Sequence, residues 1–260
     1  MSASPHSLFV ADLHLCDSRP ETGRLFIDFL THIAPHADGL YILGDLFEYW
    51  LGDDTLDAPL HRHIAVALSA LADTGTAVYF MHGNRDFLIA GQFARSCRAQ
   101  LLNDPTLIDL YGTSSLLMHG DTLCTDDVEY LKFREQVRDP EWQTQFLSQT
   151  LPARTALAEQ ARYRSESAKQ EKTAAIMDVN DATVAAALRQ YHYPRLIHGH
   201  THRPARHVVT LDQHPCERWV LPDWYNGGGY LHCSASGCEL IDLTASDEPK
   251  AVRLSGETSK

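Results

Sequence analysis

The 260-residue sequence lacks the features that place a chain in a membrane or in a secreted, disulfide-bonded class. No uninterrupted apolar run approaches about eighteen residues, which excludes a membrane-spanning helix. The first residues, MSASPHSLFVADLH, have no basic region before a short apolar run, so we expect no secretory signal. The six cysteines form no CxxC pair, and we expect reduced thiols in a cytoplasmic protein.

Positively charged residues are also few relative to negatively charged ones. The 22 Lys and Arg against 34 Asp and Glu give a formal net charge of −12. This balance argues against a broad basic surface, and we expect no nucleic-acid partner. The exception is the segment from Lys132 to Lys172, which has eight Lys or Arg against six Asp or Glu. A small anionic substrate remains compatible with the acidic chain, because bound metal ions would supply positive charge locally.

The sequence does contain five short blocks of metal-ligand residues, each at the end of an apolar run. They are VADLH with Asp12 and His14, LGD with Asp45, HGNRD with Asn84, MHGD with His119, and HGHTH with His200 and His202. Carboxylate, amide and imidazole groups suit manganese, iron, cobalt or zinc. One such block alone is more typical of a cap or a turn. Five in this order predict two metal ions and hydrolysis of a phosphate ester.

We expect the seven ligands to divide between two ions. The first ion would be held by Asp12, His14 and His202, the second by Asn84, His119 and His200, with Asp45 bridging both. Such a pair clamps a hydroxide between the ions.

The apolar runs SLFVAD, LYILGD, AVYFMHG, SLLMHG and RLIHGH predict buried strands, with helical spacing of apolar residues over 25–33 and 60–71. This alternation predicts an α/β fold with a largely parallel sheet, whose strands deliver the ligands at their carboxyl ends. After His202, HVVTL, RWVL and CELIDL predict antiparallel strands in a second sheet layer. We expect a core of residues 1–129 and 191–245, a helical insertion over 130–190, and a polar tail over 246–260.

Longer motifs extend the five blocks. They are GDLFEYWLGDD at 44–54, GNRDFL at 83–88, HGDTLCTDD at 119–127, IMDVN at 176–180 and HGHTHRP at 198–204. With them the chain resembles the calcineurin-like metallophosphoesterase superfamily, and within it the bacterial UDP-2,3-diacylglucosamine diphosphatase family of lipid A synthesis. The resemblance implies a four-layer αββα sandwich, two Mn²⁺ ions or other divalent transition metals, and a helical cap that holds acyl chains. It also implies water attack on the α-phosphorus of UDP-2,3-diacylglucosamine, by a peripheral protein on the cytoplasmic side of the inner membrane.

General phosphatases of the superfamily have a motif that resembles GNHE at this point. Arg85 takes the position of its histidine. The leaving group in diphosphate cleavage is a phosphate of low basicity, so a permanently charged clamp suffices where a histidine acid would otherwise act. We therefore expect Arg85, with Asp45 and Asn84, to carry the catalysis. The alternative is a surface ion pair between Arg85 and Asp86.

The resemblance also implies substrate contacts. They are Asn84, Arg85, Asp127, Ser165, Lys169, Lys172 and His200. Lys169 stands where relatives commonly have asparagine, and surface solvation is the alternative for both lysines. Asp127 would alternatively cap a helix that begins before Tyr130. Pro222 replaces a glycine of the relatives, so the turn there is expected to differ.

Two other functions remain open. One is a general metallophosphoesterase acting on nucleotides or phosphoproteins, with the insertion serving only stability. The other is a metal-stabilised scaffold without chemistry. Membrane contact would involve exposed apolar residues of the insertion such as Phe133, Trp142 and Phe146 together with its basic charge. Packing of these side chains on the main domain is the alternative.

Overall fold

The computed structural model describes residues 4–171, 178–243 and 250–251, with side chains described over 4–163 and 178–243. In chain order the strands are β1 His6–Val10, β2 Gly39–Leu43, β3 Ala77–Met81, β4 Ala99–Leu102, β5 Thr106–Leu110, β6 Thr113–Leu117, β7 Arg195–His198, β8 Ala205–Leu211, β9 His214–Val220, β10 Gly229–Ser234, β11 Gly237–Asp242 and β12 Lys250–Ala251. The α-helices are α1 Pro20–His32, α2 Pro59–Asp73, α3 Gly91–Ser96, α4 Val128–Arg138, α5 Pro140–Leu147, α6 Leu151–Glu171 and α7 Asp181–Gln190.

The strands form two sheets. The seven-stranded sheet has the order β12-β11-β10-β1-β2-β3-β4, and the five-stranded sheet has the order β5-β6-β7-β9-β8. Strands β1 to β4 are parallel, as the alternation of strands and helices predicts. The expected second layer contains HVVTL in β8 and RWVL in β9. CELIDL was wrongly assigned to that layer, because β10 pairs with β1 and β11 continues the first sheet through a hairpin.

Alternation along β1 separates the two faces of the first sheet. Leu8 and Val10 pack with Phe26 of α1 and Ile64 of α2, whereas Phe9 packs between the sheets. On the outer face of the second sheet, Val184 and Leu188 of α7 pack with β6 and β7. Helices therefore cover both sheets, which confirms the four-layer αββα sandwich.

Helices α4 to α6 lie between β6 and β7 in sequence, where the insertion was expected, whereas α7, at the end of the expected range 130–190, packs on the second sheet as part of the core. Phe146 is buried, and Trp142 packs partly buried against the same cluster as α1 and α2. By contrast, Phe133, Leu147 and Leu151 are each more than 40% exposed. The insertion thus anchors some of its apolar residues on the core and leaves others at the surface.

One cysteine pair contradicts the expectation of reduced thiols. Cys233 and Cys238 form a disulfide, with their Cα atoms 4.1 Å apart. They face each other across the antiparallel pair β10 and β11, next to the hairpin turn. Strand register, which cysteine spacing does not reveal, brings the two sulfurs together. The other four cysteines, all within the described residues, form no disulfide.

Candidate metal centre

Five of the seven predicted ligand residues have positive φ angles. They are Asp12 at 55°, His14 at 49°, Asp45 at 55°, His200 at 69° and His202 at 54°. This region is rarely occupied by residues other than glycine, and each instance costs of order 1 kcal/mol. Backbone bonds hold the loops in place beyond the ends of β1 and β2: the amide of Asp12 donates to Gly44 (3.1 Å) and that of His14 to Asp45 (2.9 Å). Such strain concentrates at functional sites, because the surrounding fold must maintain it.

Two buried carboxylates are oriented by backbone amides from other ligand blocks. The amide of His200 donates to Asp12 Oδ2 (2.8 Å), and the amide of Arg85 donates to Asp45 Oδ1 (2.8 Å). Asp12 Oδ1 has no hydrogen-bond donor and lies 3.5 Å from His202 Nε2. One oxygen of Asp12 is thus fixed and the other is left for a ligand.

Asp12, His14 and His202 form the first cluster, with ligand atoms all within 4.8 Å of one another. The Nε2 atoms of the two histidines are 3.4 Å apart. A carboxylate stands behind each ring: Glu48 lies 3.8 Å from His14 Nδ1, and Asp223 lies 4.0 Å from His202 Nδ1. Both distances exceed that of a hydrogen bond, and His14 Nδ1 has no hydrogen-bond partner. A carboxylate that does bond this nitrogen orients a metal-binding histidine, and Glu48 is close enough to take that role after a small shift.

Asn84, His119 and His200 form the second cluster. Asn84 Oδ1 is 3.0 Å from both His119 Nε2 and His200 Nδ1. His119 Nδ1 donates to the carbonyl of Leu43 (2.9 Å), which directs its Nε2 toward the cluster as the nitrogen available to a metal. Asp45 lies between the clusters, with Oδ2 3.7 Å from His14 and Oδ1 3.9 Å from His119. The structure therefore brings all seven predicted ligands together.

The electrostatics of the cluster favour a bound cation. Burial, reinforced by Asp86 and Asp12, raises the pKa of Asp45 to about 7. Although burial opposes it, the carboxylates of Asp45 and Asp121 raise the pKa of His119 to about 9. Buried carboxylates and imidazoles that lack full hydrogen bonding fit a divalent ion, which would compensate their charge and lone pairs.

His198, the first histidine of HGHTH, has a structural role. Its Nδ1 donates to the carbonyl of Gly199 (2.8 Å), and its Nε2 accepts from Arg218 (3.2 Å). Burial and the charge of Arg218 lower the pKa of His198 to about 3, so the ring stays neutral. Both ring nitrogens are therefore occupied away from the clusters.

The remaining predicted residues have different outcomes. Asp86 is fully buried and accepts bonds from the amides of Leu46 (2.7 Å) and Gly83 (2.8 Å), so the alternative of a surface ion pair with Arg85 is wrong. Arg85 is half-buried, on the same loop as Asn84. Asp127 caps α4 by accepting from the amide of Tyr130 (3.1 Å), which confirms the capping alternative.

Three predicted substrate contacts have no described side chain. Ser165 and Lys169 are in α6, but their side chains fall outside the described residues, as does Lys172 altogether. The loop with Pro222 still reaches the centre, because the amide of Trp224 donates to the carbonyl of Asp12 (3.1 Å).

Helix α4, the first helix of the insertion, is hydrogen-bonded to the loop that follows His119 and to the loop that carries Asn84. These contacts were not predicted from the sequence. Tyr130 and Arg134 donate to the buried carboxylate of Asp121 at 2.5 Å and 2.7 Å. Arg138 donates to the carbonyl of Gly83 (2.8 Å), next to Asn84. The four-residue spacing of Tyr130, Arg134 and Arg138 places them on one helix face and could have revealed the contact.

The family model of the calcineurin-like phosphoesterases matches residues 6–204. The chain belongs to this family, and its fold and candidate ligands imply a divalent metal cofactor. Among its relatives it is 53% identical over 231 residues to the UDP-2,3-diacylglucosamine hydrolase of Aromatoleum aromaticum, covering 89% of this chain and 94% of the relative. Proteins of the same name from Xanthomonas axonopodis pv. citri and Cellvibrio japonicus are 49% and 48% identical, covering 91% and 90% of this chain and 98% of each relative.

Proposed function

We propose that this chain hydrolyses the diphosphate of UDP-2,3-diacylglucosamine, giving UMP and 2,3-diacylglucosamine 1-phosphate for lipid A synthesis. The names of relatives about 50% identical over 90% of the chain support this substrate. The observation that carries the proposal is geometric. Asp45 joins two ligand clusters, and the insertion is hydrogen-bonded to the same loops.

We propose that two Mn²⁺ ions occupy the centre. Asp12, His14 and His202 would hold one ion, and the other would be held by Asn84, His119 and His200, with Asp45 shared. When bound, such ions supply Lewis acidity toward phosphate and a hydroxide nucleophile at neutral pH. Other divalent transition metals tolerate these ligands, so metal analysis of the protein as purified, together with reconstitution by single metals, tests the identity and the number.

Arg85 would stabilise the negative charge that develops on the phosphate oxygens. Its amide is bonded to Asp45, so its position is tied to the centre. Its guanidinium presents planar donors that match the oxygens of a phosphate. The departing sugar phosphate is weakly basic, and so a charged clamp replaces a proton donor.

The other proposed substrate contacts divide by position. Asn84 and His200 belong to the second cluster, and Asp127 begins α4. Ser165, Lys169 and Lys172 belong to the last part of the proposed cap. Together they would bind the glucosamine and its phosphate beside the acyl chains.

We propose that the part of the insertion before α7, with helices α4 to α6, is a cap for the acyl chains and contacts the cytoplasmic face of the inner membrane. None of the helices among the described residues is long and apolar enough to cross a membrane. Phe146 is only 6% exposed, so it was wrongly chosen as a membrane contact. The exposed large apolar or aromatic residues in the described part of the insertion are Phe133, Leu147, Leu151, Leu157 and Tyr163.

Vesicle sedimentation tests the membrane contact. Replacing Phe133 and Leu147 by serine should reduce binding to anionic vesicles. Val208→Ser is the control, because Val208 is 58% exposed on β8, outside the insertion. Equal binding by all variants would contradict the proposed surface.

Incubation with UDP-2,3-diacylglucosamine in detergent tests the activity. Metal-loaded protein should release UMP, and Asp45→Ala should lose both metal and activity. Unchanged lipid together with rapid hydrolysis of an aryl phosphodiester would instead indicate a general phosphodiesterase. Retained cellular function in Asp45→Ala would indicate a scaffold.

A further inference from the structure

A stacked tyrosine and arginine lie against the first cluster. The ring of Tyr225 is parallel to that of His14, with centroids 4.9 Å apart and an interplanar angle of 20°. It is also 5.4 Å from the ring of His202. The guanidinium carbon of Arg19 lies 4.4 Å from the Tyr225 centroid. Although it contacts two proposed metal ligands, Tyr225 is 40% exposed.

Arg19 is held in place with one donor group unused. Its Nη2 donates to the carbonyl of His14 (2.7 Å) and to Glu48 Oε2 (3.1 Å). Its Nη1 is buried and has no acceptor. A buried donor without a partner is costly, and a bound acceptor removes that cost. A planar cation in this position suits a phosphate or ribose oxygen.

The two clusters have different neighbours. Near the second cluster, Tyr130 of α4 lies 5.9 Å from the ring of His200, and Arg138 bonds the loop of Asn84. Near the first cluster are Tyr225 and Arg19. The nucleoside is a substituent of the attacked phosphorus that neither attacks nor departs, so it must lie against another wall of the centre than the departing lipid half. With the lipid half on the side of α4, the wall formed by Tyr225 and Arg19 beside the first cluster is left for the nucleoside half.

We propose that Tyr225 and Arg19 form the subsite for the nucleoside monophosphate half of the substrate. Tyr225 presents an aromatic surface to the base, and Arg19 donates to the phosphate. Aromatic stacking recognises any base, because every base has a π face. This inference rests on the proposed function, since it places the two halves of that substrate.

Calorimetry with metal-loaded protein tests the subsite, using UMP and ribose 5-phosphate, which lacks the base. Tyr225→Ala should weaken UMP binding about tenfold and leave ribose 5-phosphate unchanged. Tyr225→Phe should bind both ligands like the parent protein. Tyr49→Ala is the matched control, because Tyr49 is also 40% exposed. Arg19→Ala should weaken both ligands by the same factor.

An unchanged ratio of UMP to ribose 5-phosphate affinity in Tyr225→Ala would overturn the assignment. Metal content and melting temperature are measured for each variant. If Tyr225→Ala loses its metal, Tyr225→Leu replaces it, because leucine fills the space over His14 without an aromatic face. Unaltered UMP binding in the variant, with lipid hydrolysis intact in the parent protein, refutes only this subsite. Absence of lipid hydrolysis in the parent protein refutes the proposed function instead.

Discussion

Gly83 lies so close to Asp45 that one added methyl group should disable the metal centre. A Cβ at this position would lie 2.1 Å from Asp45 Oδ1 and 2.3 Å from the Asp45 amide nitrogen. The second atom is backbone, so rotation of a side chain cannot relieve the contact. Either Asp45 or the loop that carries Asn84 must move.

The size of that movement sets the expected effect. Ordinary contacts begin at 3.4 Å, so the atoms must separate by about 1 Å or more. Overpacking of this kind costs about 1–3 kcal/mol of stability. A misplacement of about 1 Å in a catalytic group reduces the rate on the order of 10²-fold. We therefore expect Gly83→Ala to remain folded, bind metal more weakly and lose about two orders of magnitude in kcat.

Urea unfolding, metal titration and UMP release measure the three effects separately. Gly23→Ala is the control, because its Cβ would meet only Leu60 Cδ1 at 3.9 Å within α1. Alanine in a helix is favoured over glycine by about 0.5–1 kcal/mol, so this variant should be slightly more stable. A Gly83→Ala protein with normal metal affinity and normal kcat would refute the assignment of Asp45 to the centre.

Three further predictions concern the centre. Arg85→Ala should retain its metals and lose rate by about 10²–10³-fold, measured by UMP release and elemental analysis, and full activity would refute the clamp. Glu48→Gln should weaken metal binding about 10–100-fold in a titration, because the carboxylate behind His14 is lost, and unchanged affinity would contradict its positioning role. Metal binding at pH 7 should release about one to two protons, because the pKa of His119 is raised to about 9 and that of Asp45 to about 7. Metal affinity should therefore fall as the pH falls, and calorimetry in buffers of different ionisation enthalpy counts the protons.

Local pattern predicted much of the fold and the candidate ligands. Apolar runs before each block marked β1, β2, β3, β6 and β7, and the ligands do follow these strands. Local pattern did not predict which strands pair or in what register. CELIDL forms β11 of the first sheet, and Cys233 and Cys238 lie opposite each other and form a disulfide. Strand register decides both outcomes, and it is set by the packing of whole sheet faces.

Residues behind the ligands were harder to predict than the ligands. Glu48 lies within the motif GDLFEYWLGDD, but only its position 3.8 Å from His14 indicates a role beside the metal ligands. The role of Tyr130 and Arg134 is visible only from the hydrogen bonds that they donate to the buried carboxylate of Asp121. Such polar partners carry no periodic signal, because their spacing depends on the path of the loops between elements.

The sequence by itself determined the kinds of ligand atoms, their order along the chain and the alternation that makes a layered α/β fold. Only the tertiary structure decided which carboxylate lies behind which histidine, and that Arg19 near the start stacks on Tyr225 near the end. The physical reason is that local hydrophobic pattern specifies which face of an element is buried. Bonds between loops beyond the strand ends, such as that from Asp12 to Gly44, then determine where individual side chains meet.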